Sequence, residues 1–201
     1  MIARGAAVGE AQGMNAAELQ IIVLAPGASA QAAALERPAR APGGALLQRA
    51  LSRATAVAGH AVTAVLGAQA SELAPALGRL AASLVINREW REGLAAAIRA
   101  GLQSLPGSCG GALLWPADQS GVSSADLQRL VDAWRRNPRS IVAAQHGGGP
   151  GLPAIFPRSE FSALRALRGD DGLAALLRSP PAGLVGVPMP GAAVAPAPTG
   201  S

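Results

Sequence analysis

The stretch LAPGASAQAAALE, residues 24–36, follows the apolar run LQIIV and turns at Pro26-Gly27. Glycine and serine at a strand-to-helix turn suit phosphate binding. Gly27 lets an anion approach the backbone closely, and the Ser29 hydroxyl can donate a hydrogen bond to it. Two features work against that chemistry. Pro26 has no N–H to offer, and alanines follow where a nucleoside triphosphate needs positive charge. The same residues also suit an ordinary strand-to-helix turn. The segment has the pattern of a triphosphate cradle without its charges.

Other reactive groups are sparse. Cys109 is single, so neither a disulfide framework nor a paired-cysteine metal site is expected. His60 and His146 stand far apart without spaced ligands around them, which argues against zinc or iron. All 17 basic residues are Arg, a bias that suits a GC-rich coding sequence, and no lysine ammonium is available anywhere in the chain. The net charge of +5 does not point to nucleic acid, because the arginines are scattered and aromatic residues make up only 2% of the chain. Their densest cluster, AWRRNPR at 133–139, ends a helical pattern, where cations suit the helix dipole. No stretch approaches the roughly 18 apolar residues of a membrane span, and the N-terminus lacks a continuous apolar core for secretion. A cytoplasmic protein without a membrane partner is expected.

These residues need elements to position them. LQIIVLA (19–25), AVTAVLG (61–67), SLVIN (83–87), GALLWPADQ (111–119), RSIVAAQ (139–145) and GLVGVPM (183–189) read as strands, short apolar runs bounded by turn residues. Between them lie helical patterns. In residues 44–59, Leu46, Leu47, Ala50, Leu51 and Ala54 share a face, with Gly59 as the stop. Residues 71–80 form a short helix limited by Pro75, and residues 91–105 a longer one. In 123–137, serines precede a face of Leu127, Leu130, Val131 and Trp134. HGGGPGLP (146–153) reads as a separating loop, followed by the short run AIF and two short helices in SEFSALRAL and DGLAALLRS.

Strands alternating with helices imply an α/β domain, a three-layer α/β/α Rossmann-like arrangement with a mostly parallel sheet. Its expected extent is residues 19–189, with 1–18 a loose leader and 190–201 a disordered tail. Ligands of such sheets bind beyond the carboxyl ends of the strands, where strand order reverses. Loops 25–42, 67–70, 87–93 and 115–121 are therefore expected to face one crevice.

Five motifs in order resemble the MobA-like nucleotidyltransferases, most closely the molybdenum-cofactor cytidylyltransferases (MocA-like), over about residues 20–190. LAPGASAQAAALE is similar to Leu-Ala-Ala-Gly-x-Ser-x-Arg-Met-Gly-x-Pro-Lys, and Asn87, Trp90 and Gly93 match Asn-x-x-Trp-x-x-Gly. Asp118 and Gln119 match a strand ending in Asp-Gln-Pro. IVAAQHGGGPGLPAIF and LRGDDGLAALL resemble the two later family motifs.

The resemblance implies attack of a terminal phosphate on the α-phosphorus of a nucleoside triphosphate, CTP rather than GTP, with a molybdopterin-like acceptor and release of pyrophosphate. The substrate-binding residues it implies are Leu24, Ala25, Gly27, Ser29, Gly67, Asn87, Gly93 and Gln119. It places a metal ligand at Asp118, for Mg²⁺ held weakly or not at all; the bland alternative is an aspartate capping its turn. Where the family has Arg and Lys, counting along the motif falls on Gln31 and Glu36. Arg37 and Arg40 are the candidates to replace those cations, although Arg and Lys differ in reach and geometry. A second family acidic region corresponds to AVAPAPTG, which has no carboxylate. On the acceptor side, Leu152 stands for a histidine, Ala96-Ala97 for a serine-containing pair and Ala174 for an arginine. Trp90 is matched, though a lone Trp after a strand also serves as packing.

Two function classes follow. One is a divergent nucleotidyltransferase with reduced or lost catalysis. The other is a non-catalytic nucleotide- or pterin-binding accessory protein in molybdoenzyme maturation, whose partner would be a molybdoenzyme or another maturation protein.

Overall fold

Leu19–Leu24 (β1) is apolar at five of its six positions because the strand is covered on both faces. In the computed structural model, which describes residues 19–25, 42–68, 70–77, 82–169, 171–180 and 183–192, β1 lies near the middle of a seven-stranded sheet. The elements that follow are α1 (Pro42–Ala58), β2 (Val62–Leu66), α2 (Ala70–Leu77), β3 (Ser83–Ile86) and α3 (Leu94–Gln103). Then come β4 (Gly111–Pro116), α4 (Ser124–Arg136), β5 (Ile141–His146), β6 (Gly149–Pro157), α5 (Phe161–Ala166), α6 (Asp171–Arg178) and β7 (Leu184–Pro188). Strand order is β3-β2-β1-β4-β6-β5-β7, and every pairing is parallel except the two made by β6.

Alternation along the strands sends side chains to two cores. Ile21, Val23, Leu113 and Trp115 meet Leu47, Leu51, Leu127, Leu130 and Trp134 from α1 and α4. Ile22, Leu24, Ala112 and Leu114 meet Ile98, Leu102, Phe161, Leu164 and Leu177 from α3, α5 and α6. This is the expected three-layer architecture. The predicted face of α4 is buried throughout, and in α1 only Leu46 departs, being half-buried.

The helix ends follow local chemistry. Gly59 takes φ +57° after α1, a left-handed stop that favours glycine. Ser123 and Asp126 form a reciprocal capping box at the start of α4, worth roughly 1 kcal/mol against alanine at the cap. Burial disfavours the charge on Asp126, but hydrogen bonds from the Ser123 backbone and side chain and from Arg129 outweigh it and hold its pKa below the ordinary carboxylate value. The expected helix at 91–105 is divided. Trp90–Glu92 forms a 3-10 turn, and α3 starts only after Gly93 at φ +80°.

Two expectations need correction. HGGGPGLP is not a separating loop, because Gly149–Pro157 is a nine-residue strand lying antiparallel between β4 and β5. The prolines concealed it. The register jumps from Ala144↔Gly151 to Ala143↔Ala154, so Leu152 and Pro153 lie in a bulge where the missing proline N–H breaks no ladder bond. The fold also runs past residue 189. Pro190–Ala192 forms a 3-10 turn whose Ala192 is buried. The leader 1–18 and the rest of the tail, 193–201, lie outside the described residues.

Candidate functional site

The chain leaves β1 for β2 and β3 on one side and returns with β4 on the other, so strand order reverses between β1 and β4. That junction is closed at its carboxyl end by the Ala117 N–H, which donates to the Leu24 carbonyl at 2.9 Å. Ala25 donates to the Val65 carbonyl at 3.0 Å. Leu24 and Ala25 thus commit these backbone groups to the sheet. Beyond Ala25, the expected cradle residues Gly27 and Ser29 and the expected cations Arg37 and Arg40 lie outside the described residues, as do Gln31 and Glu36.

Asp118 sits two residues past β4 at this reversal. One of its carboxylate oxygens, Oδ1, is buried and has no hydrogen-bond partner. Burial raises the pKa of the carboxyl, against the opposing effect of N–H donation from its own backbone and from Gln119. Charge on the oxygen without a partner is costly here, and α4 is capped by Ser123 rather than by this side chain. A hard, partnerless oxygen fits Mg²⁺ or Mn²⁺. Among the described residues no group of three His, Cys, Asp or Glu side chains gathers around a metal position, so further ligands would have to come from a substrate.

The loop bearing Asp118 is held at three points. Gln119 Nε2 donates to the Leu152 carbonyl at 2.8 Å and to the Ala192 carbonyl at 3.0 Å. The bulge in β6 thereby receives a partner, and so does the turn after β7. Gly121 and Gly191 touch backbone to backbone; a Cβ on Gly121 would fall 2.4 Å from the Gly191 carbonyl oxygen. From α1, Arg53 Nη1 donates to the carbonyls of Ser120 at 2.8 Å and Val122 at 2.7 Å. Arg53 had no sequence signature, since its targets lie 67 and 69 residues away. An Arg53→Met variant keeps the aliphatic stem and removes both bonds. It is expected to lose about 1–3 kcal/mol in urea unfolding and to speed hydrogen exchange of the Ser120–Val122 amides ahead of the core strands.

The other expected ligands border the same edge of the sheet. Gly67 accepts the Ala70 N–H at 3.1 Å and opens α2. Asn87 is buried; its backbone N–H donates to the Leu66 carbonyl at 2.8 Å and its Oδ1 accepts the Glu89 N–H at 3.0 Å. The side chain builds the turn after β3. Gly93 accepts the Ala97 N–H and supplies the positive φ from which α3 departs. Arg99 clamps this turn, donating to Glu89 and Glu92 and to the Leu167 carbonyl. Trp90 is half-buried, and the Arg91 guanidinium stacks over its ring at 4.4 Å. The structure therefore brings Leu24, Ala25, Gly67, Asn87, Gly93, Asp118 and Gln119 to one edge. Most of their polar groups are engaged within the protein, and Asp118 Oδ1 and Gln119 Oε1 are the buried side-chain oxygens left without partners among the described residues.

A mostly parallel sheet with one reversed strand and an acidic group beyond the reversal point is the frame of an α/β domain that binds its ligands at the carboxyl ends of its strands. The chain belongs to the MobA-like NTP transferase family, whose domain matches residues 21–184. Among solved structures it is similar to the manganese complex of Rv0371c from Mycobacterium tuberculosis H37Rv, at 25% identity and TM-score 0.66, covering 85% of this chain and 87% of that one. A nucleotidyl transferase from Methanothermobacter shares the fold at 19% identity and TM-score 0.65, covering 86% of this chain and 87% of its own. So does molybdopterin-guanine dinucleotide biosynthesis protein A from Archaeoglobus fulgidus, at 15% identity and TM-score 0.57, covering 85% and 83%. No curated protein matches the chain. No helix of the described residues is long and apolar enough to cross a membrane.

Proposed function

We propose that this protein binds a nucleoside triphosphate, CTP in preference to GTP, in the crevice between the ends of β1 and β4, and transfers its nucleotidyl group to a molybdopterin-like phosphate slowly or not at all. The observation that carries this reading is the buried, partnerless Oδ1 of Asp118 at the reversal point. Asp118 would hold Mg²⁺ or Mn²⁺ together with substrate phosphates; the metal, when bound, neutralises charge on the phosphate oxygens. The manganese in the Rv0371c structure supports a divalent ion on this fold. Gln119, Arg53 and the Gly121–Gly191 contact keep the carboxylate in place before any ligand arrives, as electrostatic preorganisation requires.

Slow or absent turnover follows from charge. Phosphoryl-group chemistry depends on cations that stabilise the transition state. Gln31 and Glu36 stand where the family motif has an arginine and a lysine. We assign Gly27 and Ser29 to the phosphates and Arg37 or Arg40 to the role of replacement cation. The second reading, a non-catalytic nucleotide- or pterin-binding protein of molybdoenzyme maturation, is favoured by the same missing charges. Both readings place the protein in the cytoplasm.

Titrating CTP and GTP with and without Mg²⁺ tests the proposal. Saturable, Mg²⁺-dependent binding of CTP is expected. Pyrophosphate release on adding molybdopterin separates the slow enzyme from the binder. If neither nucleotide binds with or without the metal, the proposal is wrong.

A further inference from the structure

Strand order places β4 between β1 on one side and β6 and β5 on the other. β5 runs in the same direction as β4, since both are antiparallel to β6. Its carboxyl end therefore reaches the edge of the sheet that carries Asp118. The chain turns there between His146 and Gly149, which are paired across the two strands. The returning strand β6 is tied to the Asp118 loop by the bond from Gln119 Nε2 to the Leu152 carbonyl. The loop thus has the β1 crevice on one flank and this hairpin on the other.

The hairpin seats an imidazole. His146 is half-buried. A Cβ on Gly151 would fall 2.7 Å from its Nε2, and a Cβ on Gly148 would fall 3.8 Å from its Nδ1. Only the missing side chain at 151 leaves the ring its place. Neither ring nitrogen is bonded to another described residue. The N–H groups of Gly147 and Gly148 at the turn also enter no hydrogen bond among the described residues. Residues 145–153 contain no carboxylate and no thiol, so the hairpin brings a cation no second ligand of that kind. What it offers is hydrogen-bond donors, an imidazole that is charged when protonated and backbone N–H groups, and these suit an anion. We propose that His146 is the binding residue for the phosphate monoester of the acceptor, held on the flank of the Asp118 loop opposite the nucleotide. The acceptor role rests on the reading given under Proposed function; the residue and its ligand are added to it here.

The chain has two histidines, so His60→Gln assigns both imidazole Hε1 resonances. Glycerol 3-phosphate is the probe and glycerol its control. The monoester is expected to shift the His146 resonance saturably and leave that of His60 in place, while glycerol moves neither. His146→Gln weakens glycerol 3-phosphate about tenfold, the loss of a hydrogen bond to a charged group, and CTP affinity in Mg²⁺, set on the other flank, does not follow it down. Gly151→Ala is the second variant. Gly151 has no positive φ, so alanine suits its backbone, and the atoms nearest the new methyl all belong to the His146 ring. It is expected to shift the His146 resonance and weaken the monoester likewise, with the circular dichroism spectrum and Tm kept. A His146 resonance that stays unmoved, or that glycerol moves equally, overturns the proposal even where CTP binds. Undiminished monoester affinity in His146→Gln overturns it as well. Monoester binding at His146 in a protein that binds no CTP, with or without Mg²⁺, overturns the nucleotide reading and the acceptor role with it.

Discussion

Converting Glu36 to Lys together with Gln31 to Arg is expected to tighten CTP binding by at least tenfold, measured by titration calorimetry in Mg²⁺. The double change removes one negative charge and adds two positive ones where the family motif meets the triphosphate. A unit charge 4 Å from another contributes about 1 kcal/mol at the dielectric of water and about 4 kcal/mol at an effective dielectric near 20. Three units of altered charge therefore exceed the roughly 1.4 kcal/mol of a tenfold change, even at the weak end. Electrostatic origin gives the effect a second signature: the gain shrinks as salt is raised from 0.05 to about 0.5 M, as screening requires. A control at Gln48, an exposed residue of α1, changed to Arg, adds one positive charge outside the motif and is expected to move the affinity far less. Unchanged CTP affinity in the double variant would show that residues 31 and 36 do not face the phosphates.

The layers of this fold were legible because they depend on periodicity. Leu127, Leu130, Val131 and Trp134 recur at helical spacing and all reach the core, since a helix covering a sheet must present one apolar stripe. β6 was not legible. Its prolines at 150, 153 and 157 are the residues that ordinarily deny a strand, and the bulge that accommodates Leu152-Pro153 is a property of pairing, invisible within one segment. The turn at Pro190–Ala192 was lost for a similar reason. Its composition is that of a tail, and long-range contacts dock it: the Gln119 bond to the Ala192 carbonyl, the Gly121–Gly191 contact and the burial of Ala192 in the core.

The site divides along the same line. Asp118 stood out as an acid ending an apolar strand, and its free oxygen is a feature of the fold. Gln119, read beside it as a ligand, spends its amide nitrogen on carbonyls at 152 and 192. Arg53 carries no local signal in the sequence and is a clasp on the Asp118 loop. Side chains whose roles span long sequence separations leave no local pattern to read. Their partners are chosen by topology.

Asp118→Asn is expected to do opposite things in two conditions, which makes it the sharper test of the proposed metal role. Without ligand, the wild-type carboxylate keeps Oδ1 buried with no partner, and burial lifts its pKa above the ordinary 3.8. The folded state then holds its proton more tightly than the unfolded state. Stability contributed at this position is greatest below the unfolded value and falls as pH rises through the folded one. Once pH exceeds the raised folded-state value the cost is fully present, so the neutral asparagine raises Tm there in the absence of metal, and the gain fades as pH falls back toward the unfolded carboxyl value. With Mg²⁺ and CTP at about a hundred times their Kd, the order reverses. Binding to the folded state alone adds about 2.7 kcal/mol, a Tm rise of roughly 5–10 °C for a domain of this size. The wild type gains it, and Asp118→Asn keeps little of it, because an amide oxygen replaces the anion facing the cation. A merely structural aspartate does not produce that crossover. It would leave both proteins equally responsive to Mg²⁺ and CTP, and that result would remove Asp118 from the metal site.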